Sequence, residues 1–97
     1  MKILTISKEP REVNWDQEQA TLKKEASEVW KLYLDEKVRE IYFTDDGNAV
    51  LILECQDVKE AKKLVNRLPL VKKKLITFEF RELRPYAGFS RIMDLSR

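Results

Sequence analysis

Proton transfer at carbon without a metal needs a base near the acidic C–H and a donor for the oxygen that becomes negative. Carboxylates beside phenols and guanidinium groups are therefore the side chains to look for. Glu54 follows Val50 and Ile52 on one face of an apolar run. Burial there would raise its pKa toward that of a working base, whereas a strand-end position in water would leave it inert. Glu79 and Arg81 share the polar side of the run Leu75 to Leu83, where they either build a site or pair with each other or with a second subunit. Trp30 and Tyr33 lie one helical turn apart, so they supply either an aromatic wall for a flat ligand or core packing. Tyr42 projects opposite to Ile41 and Phe43, as a pocket hydroxyl or a dimer contact. Arg84 and Tyr86 follow the last apolar run, where they close a pocket mouth, bind a ligand carboxylate or pin the tail.

Other chemistries find less support. The chain has no histidine, which removes the usual proton shuttle at neutral pH and the commonest ligand for zinc, non-haem iron and haem. We expect neither metal nor organic cofactor. Cys55 is the single cysteine, with no CxxC partner, and reads as a small buried residue. Gly47 and Gly88 are the only glycines, too few for a phosphate-cradling loop. Nineteen basic against 17 acidic residues leave a formal charge of +2 with the signs interspersed. The one basic run, Lys72-Lys73-Lys74, reads as a solvated loop, so no nucleic-acid partner is expected. The lone cysteine fits a reducing cytoplasm, and the short apolar start Met1 to Ile6 fits neither an export signal nor a membrane span.

The elements that must position these residues follow from periodicity. Lys2 to Ser7 is β-prone and is ended by the polar stretch around Pro10. Between Asp16 and Asp35, Leu22, Ala26, Val29, Trp30 and Tyr33 fall on one side of a helix, with Lys23, Lys24, Glu25 and Glu28 elsewhere on it; Asn14 or Asp16 can cap its start. Val38 to Thr44 and Ala49 to Cys55 are strands joined by the turn residues Asp45-Asp46-Gly47-Asn48. Asp57 to Leu68 predicts a second helix, capped by Asp57 and stopped by Pro69. Leu75 to Leu83 alternates Ile76, Phe78 and Phe80 with Thr77, Glu79 and Arg81, as a fourth strand. One short helical turn is expected in the tail.

The order is β-α-β-β-α-β in 97 residues, read as one domain with a core over about 1–84 and a tail over 85–97. The plan is the α+β, ferredoxin-like, four-stranded antiparallel sheet with two helices on one face. Two helices cover only one sheet face. In the third strand Ala49, Leu51, Leu53 and Cys55 point one way and Val50 and Ile52 the other, so both faces carry apolar residues. A symmetric homodimer through the uncovered face is the simplest way to bury the second set.

The segment Leu68-Pro69-Leu70-Val71, followed by Leu75-Ile76-Thr77-Phe78-Glu79-Phe80, resembles the muconolactone isomerase-like branch of the dimeric α+β barrel proteins. Val29-Trp30-Lys31-Leu32-Tyr33 leading into Val38-Arg39-Glu40-Ile41-Tyr42, and Leu83-Arg84-Pro85-Tyr86, extend the likeness over roughly residues 20 to 90. The resemblance implies a ferredoxin-like protomer and a pocket between helices and sheet. It also implies, among the isomerases, a proton shift on a small lactone without cofactor, with Glu79 on a strand that is acidic there too. The N-terminal helix departs from the isomerases. Cofactor-free oxygenation of an aromatic compound and a non-catalytic ligand-binding or interaction module are the alternatives. The expected ligand is small, flat and apolar or aromatic.

Overall fold

The computed structural model describes residues 1–93; the last four positions of the expected tail lie outside the described residues. Strands β1 (Lys2–Lys8), β2 (Val38–Phe43), β3 (Ala49–Glu54) and β4 (Thr77–Leu83) form one antiparallel sheet in the order β2-β3-β1-β4. Helices α1 (Gln19–Leu34), α2 (Val58–Val65) and the single turn α3 (Pro69–Lys72) complete the framework. This is the ferredoxin-like plan expected from the periodicity. Among the described residues no helix is long and apolar enough to cross a membrane.

Local chemistry explains most boundaries. The β2–β3 turn closes with the Thr44 and Asn48 backbones bonded at 2.8 Å and with Gly47 at φ 86°, a conformation that glycine takes without steric cost. Asp57 caps α2, its Oδ1 accepting from the Glu60 N–H at 2.8 Å. Two start and stop expectations change. Neither Asn14 nor Asp16 caps α1; a 3-10 turn over Trp15–Glu18 leads into it, and Asn14 makes no side-chain cap bond. Pro69 does not merely stop a helix. It opens α3, because proline has no N–H to lose in a first turn and its φ is already helical. The tail does contain a short 3-10 turn, Gly88–Arg91.

The inner sheet face meets the helices. Ile3, Val38, Leu51 and Leu53 pack with Ala61, Leu64, Val65 and Leu68 in the main core. A smaller cluster of Leu70, Leu75 and Ile76 sits near Trp15 and Leu22. Thr5 is fully buried between them, its Oγ1 donating to the Leu51 carbonyl at 2.9 Å, which satisfies the polar group. Across the sheet, β3 carries its side chains as its alternation predicted. Leu51, Leu53 and Cys55 are buried toward the helices, while Val50 and Ile52 join Leu4 and Ile6 of β1 on the outer face, where the register sets Leu4 beside Ile52 and Ile6 beside Val50.

Leu53 is fully buried at the centre of the main core. Leu53→Ala should therefore cost about 3 kcal/mol in urea unfolding through a cavity that the sheet cannot collapse around. Asp57→Ala, which loses only the α2 cap, should cost about 1 kcal/mol.

Candidate functional site

A size gradient along the inner sheet face creates a cavity. Reading along β1 toward its C-terminal end, the inward residues are Ile3, Thr5 and Ser7; on β3, running the other way, they are Leu53, Leu51 and Ala49. Large side chains thus give way to small ones at the same end of the sheet. There the Ala49 N–H donates to the Ser7 Oγ at 2.7 Å, while the edge strands place Phe43 opposite Ala49 and Phe78 opposite Ser7. The result is a small floor between two aromatic walls. Helix α1 passes above it and contributes Leu22, Ala26, Val29 and Trp30 as a roof, leaving about 510 Å³ between helix and sheet. That volume suits a small flat molecule.

Two carboxylates reach this apolar space. Glu25 hangs from the roof, and Glu9 lies beyond the end of β1, where its Oε1 accepts from the Trp15 indole Nε1–H at 3.1 Å. Glu25 is half-buried. Its Oε1 accepts from the Leu70 N–H at 2.9 Å, one of the first-turn donors of α3 that no helical carbonyl can satisfy. Burial pushes the Glu25 carboxyl above its ordinary value near 4.5; the Leu70 bond opposes that rise, and the nearby Glu28 charge adds to it. A raised carboxyl pKa in an apolar pocket is the property a general base at carbon requires. Lys73 braces the same region from outside, its Nζ 2.8 Å from Glu18 Oε2 and 3.2 Å from Thr21 Oγ1.

The carboxylates singled out by the sequence sit elsewhere. Glu54 and Glu79 lie on the outer face, away from the cavity. The N-terminal ammonium group, 2.7 Å from Glu54 Oε2, holds that carboxyl below its usual range, opposite to the rise expected from burial. Lys8, 2.5 Å away, does the same for Glu79. Arg81 is exposed on that face too, and Arg84 contacts Glu82 at 3.7 Å. Tyr42 points outward as its alternation predicted and donates to Glu40 Oε1 at 2.8 Å.

Trp30 and Tyr33 stack with ring centroids 5.8 Å apart, but not in the core: they are 57% and 46% exposed, and of the two only Trp30 borders the cavity. Tyr86 packs edge-on against Phe89 at 4.9 Å in the exposed tail and does not line the cavity. Cys55 is buried, and burial pushes its thiol upward, as suits an inert packing residue. Among the described residues no group of three or more acidic, cysteine or histidine side chains is arranged to hold a metal ion.

The charged positions of α1 group Glu25 with its polar part, yet the sequence holds a contrary signal. It stands three residues after Leu22 and four before Val29, so helical spacing sets it on the apolar stripe, where an unpaired carboxylate is out of place. Trp15 and Ser7 carried no such mark. Because burial raises the folded-state pKa of Glu25, protonation favours the fold. Its contribution is complete below pH 4.5 and is lost as pH rises through the raised value. The stability of wild type minus that of Glu25→Gln, measured by urea unfolding, should therefore fall as pH increases from 4.5 toward neutrality. A difference that rises instead would contradict the buried carboxyl.

No protein-family model and no curated protein sequence matches the chain. Among solved structures, the chain is similar to a 5-chloro-2-hydroxyhydroquinone dehydrochlorinase from Burkholderia phenoliruptrix AC1100 in complex with 2,5-dihydroxybenzoquinone. The likeness has a TM-score of 0.66 at 15% identity and covers 89% of this chain and 97% of that one. Together with the strand order, this match makes the protein an α+β domain of the ferredoxin-like fold.

Proposed function

We propose that the protein binds a small, flat, largely apolar molecule between α1 and the sheet and shifts a proton on it, as a cofactor-free isomerase of the muconolactone isomerase type. The observation that carries this reading is the half-buried carboxyl of Glu25 inside the apolar cavity, with its pKa raised by that burial. The dehydrochlorinase with a similar fold, solved with a quinone bound, supports small-molecule binding in this architecture. In the proposed step Glu25 takes a proton from the carbon between the carbonyl and the double bond of an unsaturated lactone. It returns the proton to the far end of the resulting dienolate, so that the double bond moves into conjugation and nothing is gained or lost. Ser7 accepts the Ala49 N–H through its oxygen, which leaves its hydroxyl proton free to stabilise the enolate oxygen.

The protein acts as a homodimer in this reading. Leu4, Ile6, Val50 and Ile52 form an apolar stripe on the outer face, framed by the Met1–Glu54 and Lys8–Glu79 ion pairs. One self-complementary face satisfies a two-fold interface. Glu54, Glu79, Arg81 and Tyr42 then belong to its polar rim.

The neutral butenolide α-angelica lactone tests the chemistry, because its conjugated isomer is followed directly by ultraviolet absorbance. Wild type should accelerate the conversion above buffer, and Glu25→Gln should lower that acceleration by about 10²-fold or more while leaving the thermal unfolding transition intact. Equal rates for the two proteins would refute Glu25 as the base. In sedimentation at micromolar concentration the chain should run at twice its 11.5 kDa mass, and Val50→Lys should return it to a monomer. A wild-type monomer would remove the dimer.

A further inference from the structure

The charges around the cavity say which molecules it rejects. Its two ionisable lining groups are both acidic, Glu9 and Glu25, and among the described residues no lysine or arginine lines it. Three lysines on neighbouring segments hold other partners: Lys73 holds Glu18 and Thr21, Lys31 holds Glu28, and Lys8, next to Ser7 in sequence, points to the opposite sheet face and holds Glu79. The remaining walls are hydrocarbon and aromatic, from Leu22 and Val29 above to Phe43 and Phe78 at the sides. A ligand carboxylate placed here would leave water for an apolar space, find no counter-charge and stand beside two groups of its own sign. Each of those three effects opposes binding.

An uncharged ligand meets none of these costs. Glu25 has one oxygen occupied by the Leu70 N–H and its second oxygen available as an acceptor. The Glu9 carboxylate, held by the Trp15 indole, is another acceptor at the cavity's end. We infer that the site is selective for uncharged flat molecules and excludes carboxylates, and that a hydroxyl or another hydrogen-bond donor on the ligand adds to its binding. This inference rests on the cavity being the ligand site. It separates the chain from any enzyme whose lactone substrate bears an acid side chain, and it names neutral lactones and neutral hydroxylated aromatic compounds as the substrate class.

Three probes of one shape and different charge decide it: 2-naphthol, 2-naphthoate and 2-naphthylmethylammonium, titrated calorimetrically into wild-type protein at pH 7.5. Naphthol should bind at least ten-fold more tightly than naphthoate, a difference of about 1.4 kcal/mol. Glu25→Gln should narrow that ratio to under three-fold by removing one acidic neighbour while keeping an acceptor for Leu70. Naphthoate binding as tightly as naphthol, or more tightly, would overturn the selectivity while leaving the ligand site in place. The ammonium probe binding most tightly would overturn it in favour of organic cations. If none of the three binds, the ligand site itself falls. The wild-type ratio needs no variant, so a Glu25→Gln protein that failed to fold would still leave the selectivity decided.

Discussion

The size of the side chains along two central strands governs the site. Ile3, Thr5 and Ser7 on β1 and Leu53, Leu51 and Ala49 on β3 shrink toward the same end because the strands are antiparallel and their pleats are in register. Where the residues are large, the helices rest directly on the sheet and form the core. Where they are small, the same helix axis stands clear of the floor, and the edge-strand aromatics Phe43 and Phe78 become walls instead of filler. Stability and cavity are thus made by one sheet face, divided along its length. A single larger residue at position 7 or 49 would convert site into core.

Electrostatics divides the carboxylates in the same way. Those on the outer face meet cations, Glu54 the N-terminal ammonium and Glu79 a lysine, and are held ionised. Glu25 meets apolar side chains and a lone backbone N–H, and is pushed toward protonation. The difference is one of surroundings, since all three share the same intrinsic acidity.

The fold was legible because its signals are local. The alternation in β3, the Asp-Asp-Gly-Asn turn and the Asp57 cap each depend on residues within a few positions of one another, and all three stand in the structure. The site was less so. Whether Glu54 or Glu25 is the carboxylate in an apolar setting depends on which element covers which face, and on where the N-terminal ammonium comes to rest. Pro69 shows the same limit at short range: a proline that ends one helix and a proline that begins another look alike until the next turn, Leu70 to Lys72, is seen to wind. The outward turn of Trp30 and Tyr33 also escaped periodicity, because an aromatic at the margin of a helical stripe is placed by its neighbours.

The bond from Leu70 to Glu25 links residues 45 apart, and the pair Lys73–Glu18 links residues 55 apart. Contacts of such separation come late, since the intervening chain must first be brought together. During synthesis α1 and the first three strands therefore emerge with the roof still lacking its anchor and the Phe78 wall not yet made. The cavity exists only once the α3 turn and β4 have docked. A ligand occupying it would bind the finished molecule and none of its precursors, and so would draw the folding equilibrium toward completion.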